Sequence, residues 1–280
     1  MNGAGRAFSA VSVINAIPCG IGAVIGTELE IRAEIALGGD ELRVEMMGQQ
    51  ADSGLARICV SRSLESLGEE QRGGTLRIQS EIPVSRGLKS SSAAANAIVS
   101  AVCDALDVNP GREWILNMGV DCALEAGVTV TGAFDDACGS LCGGFVMTDN
   151  AERSLLLVED LEPMDVILHI PPSRSDRAEE SMGRLRARGE DMLAIVRMAR
   201  QDPLRALSEN GRLVAECMGL DNRVAEMALS AGALAAGISG TGPATAILLP
   251  MGEGEEFMSR LEVDDLLLTK TRRLVDGHLL

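Results

Sequence analysis

The sequence changes from a strand pattern to a helix pattern within Ile82-Pro83-Val84-Ser85-Arg86-Gly87-Leu88-Lys89-Ser90-Ser91-Ser92-Ala93-Ala94-Ala95-Asn96. A strand ends at Pro83, a loop containing Gly87 follows, and apolar residues then recur at helical spacing as far as Leu106. Serine is a natural N-cap residue and alanine is the strongest helix former. We therefore predict that the three serines lie at the N-terminus of a buried helix.

Two interpretations of this helix start are open. Phosphate groups bind where backbone amides converge at a helix N-terminus, and a serine hydroxyl there can coordinate Mg²⁺. An ordinary N-cap with additional serines explains the same residues. A Walker A loop is excluded, because that motif needs a glycine before its lysine and Leu88 precedes Lys89.

Two adjacent carboxylates form a second candidate site. Asp135 and Asp136 follow the β-branched run 128–131 and precede the small, apolar stretch 137–144. Buried carboxylates need a partner such as a metal or a substrate hydroxyl, whereas exposed ones commonly cap a turn. Glu125, at the end of the preceding predicted helix, could reach the same cavity.

A glycine-rich segment, Gly237-Ile238-Ser239-Gly240-Thr241-Gly242-Pro243, is the third candidate. It lies between two apolar strand patterns. Such a segment is either a tight turn or a place where the backbone approaches a ligand closely.

The rest of the chain indicates an α+β protein, with strands clustered early and helices concentrated later. After a glycine-spaced loop at 20–27, strands are predicted at 28–36, 42–47, 75–81, 144–148, 165–170, 233–238, 244–249 and 265–275. Helices are predicted at 52–67, 112–126, 175–187, 190–200, 203–217, 221–231 and 253–261. The acidic, loop-like stretch 149–164 is the predicted domain boundary.

Composition excludes several functional classes. The net charge of −16, without a basic stripe, and the aromatic content of 2% argue against nucleic-acid binding. Interrupted apolar runs and the absence of a signal-peptide pattern predict a cytoplasmic protein with no membrane partner, either a monomer or a homodimer. Seven cysteines without a C-x-x-C, and only His169 and His278, indicate reduced thiols rather than a zinc site.

In this order, the three candidate segments resemble the GHMP kinase superfamily, named for galactokinase, homoserine kinase, mevalonate kinase and phosphomevalonate kinase. The family motif P-x-x-x-G-L-[GS]-S-S-[AS]-A is similar to residues 83–93, with Lys89 in place of glycine or serine, and A-x-x-S-G-[ST]-G-P matches residues 236–243. The arrangement D-x-x-x-S-x-x-G-G is matched by Asp136, Ser140, Gly143 and Gly144. This spacing favours Asp136 over Asp135 as the catalytic residue.

The resemblance implies a two-domain GHMP kinase fold that uses ATP and Mg²⁺. Residues 1–150 would form a ribosomal protein S5 domain 2-like, ATP-binding half, and residues 151–280 a ferredoxin-like α+β half. ATP would contact Pro83, Val84, Ser85, Arg86, Gly87, Leu88, Lys89, Ser90, Ser91, Ser92 and Ala93. The substrate cleft would include Thr131, Gly132, Asp135, Gly240, Thr241 and Gly242.

The resemblance also assigns a metal site and a catalytic cation. Ser91 is the second serine of the family motif and Glu125 stands 11 positions before Asp136, so both are expected to hold Mg²⁺. Several relatives carry a lysine near the catalytic aspartate in an A-P-G-K segment. Arg6 stands at the matching position here and could supply that charge.

Within the superfamily the chain looks most like the archaeal-type shikimate kinases, because it contains G-L-K-S-S-S-A and T-G-A-F-D-D-A. The expected reaction is phosphorylation of shikimate to shikimate 3-phosphate. A small-molecule substrate with a carboxylate predicts a bidentate arginine clamp, for which no residue is singled out. The alternatives are homoserine kinase, another GHMP metabolite kinase, and a non-catalytic metabolite-binding protein of this fold.

Overall fold

The computed structural model describes residues 1–48, 53–129, 131–172 and 178–275. The first sheet consists of β1 (Asn2–Ile14), β2 (Ile21–Leu37), β3 (Leu42–Gly48), β4 (Gly74–Ser80), β5 (Phe145–Asp149) and β6 (Ser154–Glu159). Its order is β3-β4-β2-β5-β6, and β1 pairs with β2. The β3–β4 pair is parallel and the other pairs of this sheet are antiparallel.

The long strand β2 organises this sheet. Strand β1 follows nearly its whole length, β4 pairs with its second half and β5 with its first. The predicted loop at 20–27 is wrong, because β2 already runs through these residues. Gly22 and Gly26 occupy strand positions at which a Cβ would collide with the Asp135 carboxylate and with Gly143. These glycines therefore permit close packing of a helix rather than a turn.

Four helices of the first half are α1 (Ser53–Ser66), α2 (Ser90–Ala105), α3 (Arg112–Glu125) and α4 (Phe134–Cys142). The buried helix α2 confirms the prediction from the alanine-rich run. It lies very close to β1, because a Cβ on Gly3 or Gly5 would collide with the backbone of Ala105 or Ala97. Small residues on both elements therefore let the second half of α2 pack directly against β1.

The second half contains β7 (Met164–His169), α5 (Glu179–Arg186), α6 (Gly189–Ala199), α7 (Pro203–Met218), α8 (Arg223–Ser230), β8 (Ala235–Ile238), β9 (Thr245–Pro250), α9 (Gly254–Arg260) and β10 (Leu266–Lys270). Its antiparallel sheet has the order β10-β7-β9-β8. The predicted helices of this half are confirmed to within a few residues, and residues 175–177 of the predicted helix 175–187 lie outside the described residues. The α+β fold class is confirmed.

The stretch 149–164 is more ordered than predicted. It contains β6, which pairs with β5 and so extends the first sheet to Glu159. The short apolar run 155–158 of this strand was obscured by its acidic flanks. The two-domain division at residue 150 stays a prediction, and a single apolar core joins residues of both halves, from Val11 in β1 to Leu207 in α7. Of the helices that the structure describes, none is long and apolar enough to cross a membrane.

Candidate active site

A cleft of about 390 Å³ is lined by residues of both halves of the chain. From the predicted site it includes Val84, Ser85, Gly87, Leu88, Lys89, Ser90, Ser91, Ser92, Thr131, Asp135, Asp136, Gly240, Thr241 and Gly242. Other lining residues include Ser12, Asn15, Thr129 and Met182. The structure therefore brings the three candidate segments together around one cavity.

The loop before α2 has an unusual backbone. Ser85, Gly87 and Lys89 have φ values of 59°, 84° and 65°, so alternate residues are left-handed. Left-handed conformations are unfavourable for residues with a side chain, and they persist where the surroundings enforce them, often at functional sites. A Cβ on Gly87 would collide with the carbonyl oxygen of Ser239, so only glycine permits this contact between the two halves.

The serines of this loop do not cap the helix. Lys89 occupies the cap position, and no side chain caps the first turn of α2. The N-cap interpretation is therefore wrong, whereas the predicted position of the serines at the N-terminus of a buried helix is confirmed. Ser90, Ser91 and Ser92 belong to the first turn and line the cleft. Their hydroxyls and the amides of that turn are available to a ligand, which favours the phosphate-binding interpretation.

The centre of the cleft contains a buried ion pair. The Lys89 ammonium lies 2.8 Å from Asp136 Oδ1, and the two side chains are only 7% and 17% exposed. Lys89 also donates a hydrogen bond to Ser12 Oγ at 2.7 Å. Buried charges of this kind need good geometry to offset desolvation. The cation beside the predicted catalytic aspartate is thus Lys89.

Arg6, the predicted cation, does not line the cleft. It is exposed in the first half of β1, opposite Arg32 of β2. Continuous burial in β1 begins only at Ser9. The A-P-G-K comparison failed because the lysine of this chain is contributed by the loop before α2 instead of by β1.

Asp135 has a different environment from its neighbour. It is 4% exposed, and Asn150 holds it by donating to Oδ1 at 2.8 Å and accepting from the Asp135 N–H at 3.1 Å. Thr148 fixes Asn150 by donating to its Oδ1 at 2.7 Å. Burial, with a smaller contribution from the Asp136 charge, raises the pKa of Asp135 to about 7. Among the residues that the structure describes, no cationic side chain forms an ion pair with the buried Asp135 carboxyl.

Helices α2 and α4 are held together close to these carboxylates. Asn96 of α2 donates to the Ala137 carbonyl at 2.9 Å and to Ser140 Oγ at 2.7 Å. Both acceptors belong to α4, whose first turn carries Asp135 and Asp136. This bridge sets the serine-bearing turn of α2 opposite the acidic turn of α4.

The glycine-rich turn completes the cleft from the second half. Gly240 and Gly242 have φ values of 62° and 75°. Ser239 Oγ donates to the Gly87 carbonyl at 2.8 Å and accepts from the Ser12 N–H at 3.0 Å. The segment is therefore a tight turn that lines the cleft, and its close approach to a ligand stays a prediction.

Glu125, predicted as a metal ligand with Ser91, does not line the cleft. Its carboxylate pairs with Arg62 at 2.6 Å, and it borders a surface depression together with Met118 and Asp121. These positions recur at helical spacing on one face of α3, while Leu116 and Val120 are buried on another. The spacing of 11 positions between Glu125 and Asp136 gives their separation along the chain, but it does not determine on which face of α3 the Glu125 side chain lies.

Several further predicted residues lie beside the cleft without lining it. They are Pro83, Arg86, Ala93 and Gly132, none of which is among the lining residues. Arg86 donates to the Pro172 carbonyl at 3.1 Å. The described lining contains no arginine, so the predicted arginine clamp has no candidate there. Ser12 and Asn150 were missed because neither belongs to a motif.

Comparisons with known proteins agree with this geometry. The GHMP kinases N terminal domain family matches residues 55–144. A shikimate kinase of Methanothrix thermoacetophila is 41% identical over 92% of this chain and 89% of its own. A shikimate kinase of Thermococcus kodakarensis is 38% identical over 95% of this chain and 98% of its own.

Solved structures show the same fold. A mevalonate kinase has a TM-score of 0.78 at 15% identity and covers 98% of this chain and 99% of its own. A homoserine kinase from Cytophaga hutchinsonii has a TM-score of 0.70 at 17% identity and covers 97% of this chain and 95% of its own. The chain therefore belongs to the GHMP kinase superfamily and, within it, to the family of the archaeal shikimate kinases.

Proposed function

We propose that the protein transfers the γ-phosphoryl group of ATP to a hydroxyl of shikimate, giving shikimate 3-phosphate and ADP, as a step of aromatic amino acid biosynthesis. The observation that carries this proposal is the buried Lys89–Asp136 pair beside the serine-rich start of α2. The choice of shikimate as the substrate is supported by relatives called shikimate kinases, which are 34% to 41% identical over most of the chain.

The start of α2 is the proposed site for the phosphates of ATP. Its first-turn amides have no partner within the helix, and the helix dipole adds partial positive charge there. The left-handed residues of the preceding loop curve the backbone around the same point. Backbone donors of this kind bind phosphate in spite of the net charge of −16.

Asp136 is the proposed acceptor of the proton from the substrate hydroxyl. The substrate oxygen forms a bond to the γ-phosphorus, the bond from that phosphorus to the bridging oxygen breaks, and ADP leaves with the electron pair. Lys89 binds Asp136 through Oδ1 and so leaves Oδ2 for the substrate. Lys89 orients the carboxylate and places a positive charge beside it, and phosphoryl transfer depends mainly on such positioning and charge neutralisation.

Asp135 would be the carboxylate ligand of Mg²⁺ in the cleft. Among residues 1–48, 53–129, 131–172 and 178–275, no three His, Cys, Asp or Glu side chains gather to hold a metal. Mg²⁺ bound with ATP needs only one or two protein oxygens, since phosphates and water complete its shell. Asp135 is a buried carboxyl without a bound cation, and Ser91 lines the same cavity. When bound, the ion neutralises charge on the phosphates.

The metal ligands can be tested through the Mg²⁺ dependence of activity. Ser91→Ala and Asp135→Asn should raise the Mg²⁺ concentration needed for half-maximal activity, whereas Glu125→Gln should leave it unchanged. If Glu125→Gln alone raises that concentration, the ligand expected from the sequence is the correct one and Asp135 is not.

The substrate is tested by offering shikimate, homoserine, mevalonate and galactose side by side in a coupled assay of ADP release. The proposal expects turnover with shikimate that exceeds the other three by orders of magnitude. Preferential turnover of homoserine would establish the homoserine kinase alternative. ADP release with none of the four alcohols would support the non-catalytic alternative.

A further inference from the structure

One hydroxyl in the cleft, that of Ser12, has no acceptor for its proton among the described residues. Ser12 lies in β1, is 2% exposed and lines the cavity. Its Oγ accepts a hydrogen bond from the Lys89 ammonium at 2.7 Å and another from the Gly240 N–H at 2.9 Å. An ammonium and a backbone N–H can only donate, so both lone pairs of this oxygen are occupied.

The proton of this hydroxyl therefore needs a third group. In the part of the chain that the structure describes, no carbonyl or carboxylate accepts a hydrogen bond from Ser12 Oγ. If the donor of an almost completely buried hydroxyl stays unpaired, the folded state is destabilised. Ser12 lines the cavity, where a ligand oxygen can accept this proton.

We infer that Ser12 is a substrate-binding residue, which donates a hydrogen bond to a hydroxyl oxygen of the alcohol substrate bound beside Asp136. The inference rests on the proposed function and adds a specificity determinant to it. Lys89 contacts both Ser12 and Asp136, so the donor and the proposed base lie on either side of one ammonium group.

The arrangement also explains why the donor points in one direction only. Lys89 and the Gly240 amide fix the oxygen from the loop before α2 and from the glycine-rich turn. A side chain with both acceptor positions filled cannot reverse its hydrogen bond. It therefore recognises an acceptor oxygen and rejects a substrate with only a donor, or with no polar group, at that position.

The first test compares Ser12→Ala with Ser12→Thr in the full chain, with shikimate and ATP as substrates. Ser12→Ala should raise the KM for shikimate about ten-fold or more, the effect of one lost hydrogen bond in a buried site, while the KM for ATP changes less than about two-fold. Ser12→Thr keeps the hydroxyl and should restore most of the loss. Equal changes in both KM values would overturn the inference.

A second test identifies which hydroxyl oxygen of shikimate accepts the hydrogen bond from Ser12. Shikimate analogues that each lack one ring hydroxyl are titrated calorimetrically into the wild type and Ser12→Ala, with ADP present. In the wild type one analogue should bind about ten-fold more weakly than shikimate, and in Ser12→Ala that analogue and shikimate should bind alike. If every analogue loses the same affinity in both proteins, Ser12 contacts no substrate hydroxyl.

Ser239→Ala is the matched control. Ser239 belongs to the same network, but its hydroxyl already donates to the Gly87 carbonyl. This variant should lower the thermal midpoint without selectively raising the KM for shikimate. If Ser12→Ala behaves like Ser239→Ala, the role of Ser12 is structural. Should Ser12→Ala not fold, Ser12→Cys, which retains a similar shape with a weak donor, replaces it under the same criterion.

The two proposals fail in different ways. If the wild type phosphorylates shikimate and Ser12→Ala keeps its KM for shikimate, only the inference about Ser12 is wrong. If the wild type phosphorylates another alcohol instead, the proposed substrate is wrong, and the KM for that alcohol decides the role of Ser12 by the same comparison.

Discussion

Two ion pairs of nearly equal length lie in very different parts of the molecule. Lys89 and Asp136 are 2.8 Å apart in the cleft, with side chains 7% and 17% exposed. Arg62 and Glu125 are 2.6 Å apart on the surface, with side chains 50% and 43% exposed. The resemblance to known kinases gave a role to a carboxylate in each pair, but only the buried pair borders the candidate phosphate site.

The difference shows that burial rather than distance marks a functional charge. An exposed pair is weakened by water and salt, and such pairs contribute about 0–1 kcal/mol to stability. A buried pair has lost its hydration, and removing one partner leaves an uncompensated charge that costs about 3–5 kcal/mol. Burying such a pair costs desolvation free energy, so a buried pair in a cleft is a strong candidate for a role in catalysis.

Asp136→Asn should have the largest effect of any substitution in either pair. The amide cannot take the substrate proton, so we expect kcat with shikimate to fall at least about a hundred- to a thousand-fold. Affinity for ATP, measured by calorimetry, should change little, because the proposed phosphate site is the start of α2 rather than Asp136. A variant that retains kcat within a few-fold of the wild type would remove Asp136 from the mechanism.

Lys89→Met should have the next largest effect. It leaves the buried Asp136 carboxylate unpaired and also removes a donor from Ser12. We expect the free energy of unfolding to fall by about 3–5 kcal/mol and kcat to fall at least about ten-fold. Denaturant titration and steady-state kinetics check the two effects. An unchanged unfolding midpoint would mean that this pair behaves like a surface pair.

Asp135→Asn should stabilise the protein near neutral pH while lowering its activity. Because burial raises the pKa of Asp135 to about 7, the folded state holds a proton that the unfolded state releases near its ordinary pKa of 3.8. The stabilising contribution of that proton is therefore complete at low pH and disappears as the pH rises to about 7. The amide should retain its bond from Asn150.

The measurement for Asp135→Asn is the difference in unfolding free energy from the wild type across pH. It should be near zero below pH 4, grow by up to about 1.4 kcal/mol per pH unit, and level off above pH 7. Asn150→Ala, which removes the amide partner of Asp135, serves as a control for local packing. A difference that does not depend on pH would show that the Asp135 carboxyl titrates normally.

Glu125→Gln should have the smallest effect. It removes the charge of an exposed pair, so stability should change by less than about 1 kcal/mol and kcat by less than about two-fold. Arg62→Ala gives a matched variant from the other side of the pair. A large loss of activity in Glu125→Gln, with normal stability, would mean that α3 turns this residue towards the cleft during the reaction.

Local chemistry made much of the fold and site predictable. The change from Pro83 to the alanine-rich run predicts a loop followed by a buried helix. The order of the three motifs predicts that residues of both halves line one cleft. The adjacent carboxylates were predicted at one cavity with the serines, and Asp135, Asp136 and Ser91 do line it.

The errors come from contacts that no local pattern encodes. Gly22 and Gly26 are loop formers by composition, but in β2 they admit the helix that carries Asp135. The face on which Glu125 lies depends on how α3 packs, and the cation beside Asp136 depends on how the loop before α2 folds. Ser12 has no sequence signal, because its role arises only when two distant donors meet at its oxygen.

The most direct test of the account is to measure kcat/KM for shikimate in Asp136→Asn and Glu125→Gln under one set of conditions. The account predicts that Asp136→Asn falls at least about a hundred-fold below the wild type, while Glu125→Gln stays within about two-fold of it. Comparable losses in the two variants, or a larger loss in Glu125→Gln, would contradict the assignment of the reaction to the buried pair.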